Sequence, residues 1–310
     1  MASERGPAPV AYGTDGRSDG APDGLVAEVA GRIGSTREAR WIVDHVAAAT
    51  NGDPRDAALA LADRRVRGEP LQYVLGTWAF RHLELAVDRR VLIPRPETEQ
   101  VVEMALAELA RIASDRTVDG LTDGDPLICL DLGTGSGAIA LALATEGAAS
   151  GSPLEVWATD ASPDALDVAR ANRDALAATE PVAADRVTFA EGSWFGALPD
   201  RLARRVDLIV ANPPYVTEEE YDDLDPAVRE WEPRSALVAR RGRSGVAGMV
   251  DIEVVVAGAG AWLRRSGALV VELAPAQAYG AIDAARRAGL SRVGTARDLT
   301  GRLRMLVAER

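Results

Sequence analysis

The sequence predicts an α/β fold: a mainly parallel sheet covered by helices, preceded by a small helical unit and a hairpin connector. Three observations predict it. Short apolar runs at Leu127–Leu132, 156–159, 187–190, Val206–Ala211 and 268–273 alternate with stretches of helical periodicity, the pattern of βαβ units. Several runs end in glycine, proline or a helix-capping residue, as strand ends do. From Leu25 to about Arg67 the spacing is helical, broken once at 51–54.

In chain order, residues 1–24 are rich in Gly, Ala, Pro, Ser and Asp without an apolar stretch, and are expected to form a disordered tail. Leu25, Val26, Val29 and Ile33, then Ile42, Val43 and Val46, fall at helical spacing. Asn51-Gly52-Asp53-Pro54 breaks the pattern and 57–66 resumes it, so 25–75 is expected to be a helical domain. Trp78, Phe80, Leu83, Leu85 and Val87 have extended spacing, and 76–97 is expected to be a hairpin connector. It closes on Pro94-Arg95-Pro96, where each proline biases the residue before it toward extended geometry. Residues 98–310 hold the alternating elements. Thr98 is read as the cap of the first helix, Ser162-Pro163 as the cap and first position of another, and 293–308 as two closing strands.

Composition excludes several function classes. Net charge is -12, against the basic field of a protein that grips nucleic acid through phosphates, so no direct nucleic-acid partner is expected. One cysteine and two histidines provide no disulfide and no zinc-ligand spacing, so no metal site is expected. Cys129 lies in an apolar run and reads as a buried strand residue. No apolar stretch is long enough to span a bilayer, so no membrane partner is expected, and the location is expected to be cytoplasmic. The paired arginines at 64–65, 89–90, 204–205 and 240–241 read as solvated surface.

Two constellations carry chemistry. Asp131-Leu132-Gly133-Thr134-Gly135-Ser136-Gly137 follows the first apolar run of the alternating region and opens a helix. Its glycines let the backbone take positive φ and approach a ligand closely. Asp160 ends the next strand, where a carboxylate can accept both hydroxyls of a ribose. Trp194 and Phe195 follow the third strand, where an aromatic can lie against a purine. No Lys-Ser/Thr follows the glycines, which argues against a phosphate-gripping loop. In this order the elements resemble the S-adenosylmethionine-dependent methyltransferases with a Rossmann-like sheet. That resemblance implies that the Gly-rich turn surrounds the methionine part, Asp160 holds the ribose and the Trp194 segment holds the adenine.

The second constellation, Asn212-Pro213-Pro214-Tyr215, ends the fourth strand. Two consecutive prolines stop the ladder and stiffen the backbone. An amide nitrogen is a poor nucleophile because its lone pair is delocalised. The Asn212 side-chain oxygen and the Pro213 carbonyl are read as acceptors for its two N–H groups, turning the lone pair toward the methyl, with Tyr215 stacking on the planar group. The motif alone leaves open a protein glutamine, an rRNA guanine or a DNA adenine.

Further segments narrow the choice. Gly68-Glu69-Pro70-Leu71-Gln72-Tyr73, Val91-Leu92-Ile93-Pro94-Arg95-Pro96-Glu97-Thr98-Glu99, Trp231-Glu232-Pro233 and Asp298-Leu299-Thr300-Gly301-Arg302 closely resemble the HemK/PrmC family of release-factor glutamine methyltransferases. The resemblance implies methylation of the glutamine in the Gly-Gly-Gln motif of class I peptide chain release factors, with S-adenosylhomocysteine as the spent cofactor. It also implies that the helical domain docks the release factor. Cofactor contacts are implied for Gly133, Thr134, Gly135, Ser136, Gly137, Asp160, Trp194 and Asn212, substrate contacts for Asn212, Pro213, Pro214 and Tyr215, and the catalytic positions are Asn212 and Pro213. A glutamine of a ribosomal protein, and beyond it a nucleic-acid amine, are the alternative acceptors. Ser193 stands where this family often has Asp, and 240–249 departs from its Gly-Gly-x-Asp-Gly-Leu pattern.

Overall fold

A computed structural model describes residues 23–49, 52–118, 125–147, 153–240 and 246–310. Residues 1–22 of the expected tail lie outside the described residues, and Asp23 and Gly24 do not belong to a tail: they open helix α1 (Asp23–Ile33). Helices α2 (Thr36–Ala49), α3 (Arg55–Val66) and the short α4 (Leu71–Leu75) complete the helical unit. Val29, Ile42, Val43, Ala58 and Ala62 are wholly buried in a core of its own, as the periodicity requires. The arginines at 64–65 are not bare solvated surface. Arg64 donates to Glu69 and to the carbonyls of Tyr73 and Val74, and Arg65 pairs with Glu38. Gly76 then ends α4 with φ 77°, a left-handed cap that suits glycine.

Strands β1 (Thr77–Phe80) and β2 (Leu83–Ala86) pair antiparallel in the expected hairpin. Its inner residues Phe80 and Leu85 pack into the core of the large domain. Helix α5 (Pro96–Val118) starts two residues before Thr98, where it was expected to begin, and so takes in the last two residues of the expected connector. Thr98 is therefore inside the first turn rather than its cap. Pro96 suits a first helical position because the N–H that it lacks has no partner there.

The remaining elements are β3 (Leu127–Leu132), α6 (Ala138–Glu146), β4 (Leu154–Asp160), α7 (Pro163–Ala177), α8 (Pro181–Asp185), β5 (Val187–Glu191), β6 (Val206–Ala211), α9 (Glu218–Asp222), α10 (Pro226–Arg229), α11 (Arg234–Leu237), α12 (Val250–Trp262), β7 (Leu263–Glu272), α13 (Ala278–Arg287), β8 (Ser291–Arg297) and β9 (Leu303–Glu309). The seven-stranded sheet has the order β5-β4-β3-β6-β7-β9-β8, and only β9 runs against its neighbours. Every residue of β3 and β6 is buried, as central strands covered on both faces must be. One face carries α5, α6 and the hairpin, the other α12 and α13. No described helix is long and apolar enough to cross a membrane.

From β3 the chain winds outward through β4 to β5, then returns to place β6 on the other side of β3. This reversal is a topological switch point, and a crevice opens there at the carboxyl ends of the strands. Leu132 pairs with Ala211 in register, so the Gly-rich turn and Asn212 leave the sheet side by side.

Candidate active site

Gly133, Gly135 and Gly137 have φ of 78°, 55° and 84°, so the turn after β3 needs glycine at all three positions. The N–H groups of Gly133 and Thr134 donate to the Thr159 carbonyl at 2.8 and 2.9 Å, tying the turn to β4. Beneath it Asp131 is fully buried. Its Oδ2 accepts from the Thr134 hydroxyl at 2.6 Å and the Ala140 N–H at 3.1 Å, while Oδ1 has no partner. Burial pushes this carboxyl up to about 7. Asp160 accepts from the Gly135 N–H through Oδ2 and the Ser162 N–H through Oδ1, each at 2.9 Å. Burial raises it too, and those N–H groups oppose the rise.

Trp194 sits at φ 52°, a strained value for a bulky residue. The Thr159 hydroxyl holds it by donating to its carbonyl at 2.9 Å. Its ring comes within 3.3 Å of where a Gly133 Cβ would lie, a tight contact that adds to the preference for glycine set by φ. The Arg240 guanidinium lies 6.0 Å from the ring centroid, and Arg240 is bound in turn to buried Asp251. Phe195 turns the other way and stacks on Trp262.

On the β6 side, the Asn212 side-chain N–H donates to the Thr98 hydroxyl at 3.3 Å, and Thr98 donates to Glu272 Oε2 at 2.7 Å. The Tyr215 hydroxyl approaches Glu272 Oε1 at 3.5 Å. Glu272, at the end of β7, is 2% exposed, and burial pushes its carboxyl up to about 7. Gln277 donates to the Tyr215 carbonyl at 3.0 Å and holds the motif from below.

One cavity of about 610 Å³ unites these parts. Gly133, Thr134, Gly135, Ser136, Asp160 and Trp194 line one side, and Asn212 and Pro214 the other. Gly137 backs the turn against Ala169. Pro213 and Tyr215 are not among the lining residues, and the Tyr215 ring packs toward the α12–α13 face. Sequence reasoning missed the role of Thr98, Glu272 and Gln277. The available signal for Glu272 was an acid following the aliphatic run 268–271.

Residues 124–232 match the family described as a methyltransferase domain. The release factor glutamine methyltransferase of Chlorobaculum tepidum is 40% identical over 70% of this chain and 67% of its own length. That of Xylella fastidiosa strain 9a5c is 38% identical over 86% of each chain. The chain belongs to the release factor glutamine methyltransferase family. It is an S-adenosylmethionine-dependent enzyme. The Geobacter sulfurreducens relative is 37% identical over 81% of this chain.

The family fingerprints also have a structural explanation here. Glu232, its side chain 1% exposed, accepts from the Ile93 N–H at 3.1 Å and pairs with Arg95. The connector is thereby clamped to the segment after β6, with Pro94 and Arg95 at the cavity wall. Asn172 on α7 spends its whole amide on a second clamp. It accepts from Ala86 N–H and donates to the carbonyls of Ala86 and Ser136, joining hairpin to Gly-rich turn.

Proposed function

We propose that this enzyme methylates the side-chain amide nitrogen of the glutamine in the Gly-Gly-Gln motif of class I peptide chain release factors. The supporting observation is the Asn212 amide, which stands across one cavity from the Gly-rich turn with its nitrogen committed to Thr98. Its oxygen is then the arm left to accept an N–H from an incoming amide. The relatives' names supply the class of protein that carries that amide.

S-adenosylmethionine supplies an electrophilic methyl group. The residues present fit it. Asp160 lines the cavity with a carboxylate that can accept two ribose hydroxyls beyond the N–H bonds it already holds. Glycine at 133, 135 and 137 keeps the turn open, and Thr134 and Ser136 complete that wall. The unpartnered Asp131 oxygen beneath the turn favours a cation above it. Trp194 offers an aromatic face for the adenine.

Opposite, Asn212 Oδ1 accepts one hydrogen of the glutamine NH2 and orients the nitrogen lone pair toward the methyl, while Pro213, which does not line the cavity, fixes the backbone between Asn212 and Pro214. Pro214 and Tyr215 keep that corner rigid. After transfer the nitrogen bears one proton too many and sheds it to water, so no strong base is required. The helical unit α1–α4 serves as a docking element for the release factor. A cytoplasmic setting suits Cys129, a buried thiol that no disulfide protects.

The experiment offers equal amounts of a class I release factor, ribosomal proteins and rRNA to the enzyme with labelled cofactor. Label confined to the release factor supports the reading. Label on a ribosomal protein or RNA overturns its substrate assignment.

A further inference from the structure

Glu272 is an expensive residue where it stands. It closes a strand whose preceding residues Ala268 to Val271 are wholly buried and apolar, and its carboxylate is out of contact with water. A buried acid without a task is normally replaced by an aliphatic residue. Four groups face it: Thr98 and Glu97 from α5, Tyr215 from the turn after β6, and Arg304 from β9. Of these, Thr98 makes the short contact and also touches Asn212.

The geometry dictates the direction of the chain. An ionised carboxylate accepts hydrogen bonds and donates none. In the ionised form of Glu272, which prevails above the value of about 7 to which burial pushes it, the single Thr98 proton goes to Glu272 and the Thr98 oxygen can only accept from Asn212. The Asn212 amide is left with one orientation, nitrogen toward Thr98 and oxygen toward the acceptor. Without the charge or the hydroxyl the amide is free to turn over and meet the substrate N–H with an N–H of its own.

We propose that Glu272, acting through the Thr98 hydroxyl, is a positioning residue that locks the Asn212 amide with its oxygen toward the acceptor nitrogen. The lock rests on the reading of Asn212 as the residue that receives the glutamine amide. It also defines the acceptor class, because a fixed oxygen admits a group that donates N–H and rejects a bare carbonyl.

The test is a double-mutant cycle on the full-length enzyme with a class I release factor at saturating cofactor. Thr98→Val should lower kcat about 10- to 100-fold with the KM for S-adenosylmethionine unchanged. Thr98→Ser should recover most of the loss. In an Asn212→Ala background, Thr98→Val should cost nothing further, because no amide remains to be oriented. Glu272→Gln should behave like Thr98→Val, and the milder Thr98 pair carries the test if that variant does not fold. Wild-type kcat in Thr98→Val, or losses that add fully in the double variant, would overturn the lock. An inactive wild-type enzyme would instead overturn the release-factor reading, and the lock with it.

Discussion

A Cβ on Gly248 would lie 2.2 Å from the Tyr215 carbonyl oxygen. Gly248 also has φ 73°, and the same Cβ would come within 2.5 Å of Gln277 Nε2, the atom that donates to that carbonyl. Backbone is therefore packed on backbone directly behind the proposed substrate corner. Gly248→Ala should push the Asn212–Tyr215 turn out of place, costing about 1–3 kcal/mol of stability. Methyl transfer should fall by more than cofactor affinity does. Calorimetric titration with S-adenosylhomocysteine beside a kcat measurement checks this, and an alanine variant with normal kcat would contradict it.

Asp160 and Asn212 should separate binding from turnover. Asp160→Ala removes a charged acceptor that the proposed site gives to the ribose, a contact worth about 1.5–3 kcal/mol, or roughly 10- to 150-fold in affinity. Asn212→Ala should leave cofactor affinity within a few-fold and abolish most of kcat. Equal losses of both quantities in both variants would merge the two sides of the cavity that the structure keeps apart.

Glu232 clamps the connector through a buried carboxylate, yet its partner Arg95 is one third exposed, with a side-chain exposure of 32%. The stranded arginine can be solvated, so the cost of Glu232→Ala comes mainly from the orphaned Ile93 N–H, about 1–3 kcal/mol. Glu232→Gln keeps an acceptor for Ile93 and should lose less. Urea unfolding of both variants, with the alanine form the less stable, is the expected order.

Asp131 and Glu272 make a prediction about pH. Both are acids raised by burial to about 7 in the folded chain, above the ordinary carboxylate range. The stability of the ligand-free protein contributed by such a group is complete below its unfolded value and is lost as pH rises through the folded value. Asp88 and Asp298 are lowered and act in the opposite sense, so the test is a difference. Asp131→Asn should flatten the wild-type decline between about pH 4 and 7. In the wild type, a cationic cofactor should bind more tightly as pH rises through that upper limit. A variant whose stability-pH profile parallels the wild type would remove Asp131 from the account.

Much of this was legible in the chain. The strands Leu127–Leu132 and Val206–Ala211 coincide with their apolar runs, because glycine or proline ends each one and both faces of the sheet are covered. The Ser162 cap was legible for a local reason: its side chain accepts from Ala165 N–H three residues on. The corners of the cavity, Asp160 and Asn212, were legible because strand ends place them. Thr98 was not. A threonine just after Pro-Arg-Pro reads as a helix cap, and its actual partner Glu272 is 174 residues away. Glu232 meets Ile93 across 139 residues, and no local pattern announces such a pairing. The short helices α9 to α11 were missed because each is a single turn or little more, held by caps and tertiary contacts rather than by periodicity.

The most direct test of the account is to incubate the enzyme with S-adenosylmethionine and a recombinant class I release factor, then locate the new methyl by tandem mass spectrometry. A Gly-Gly-Gln→Gly-Gly-Asn release factor serves as the control. The account predicts one added methyl on the side-chain nitrogen of that glutamine and none on the control. A methyl on any other residue, or equal labelling of the control, would contradict it.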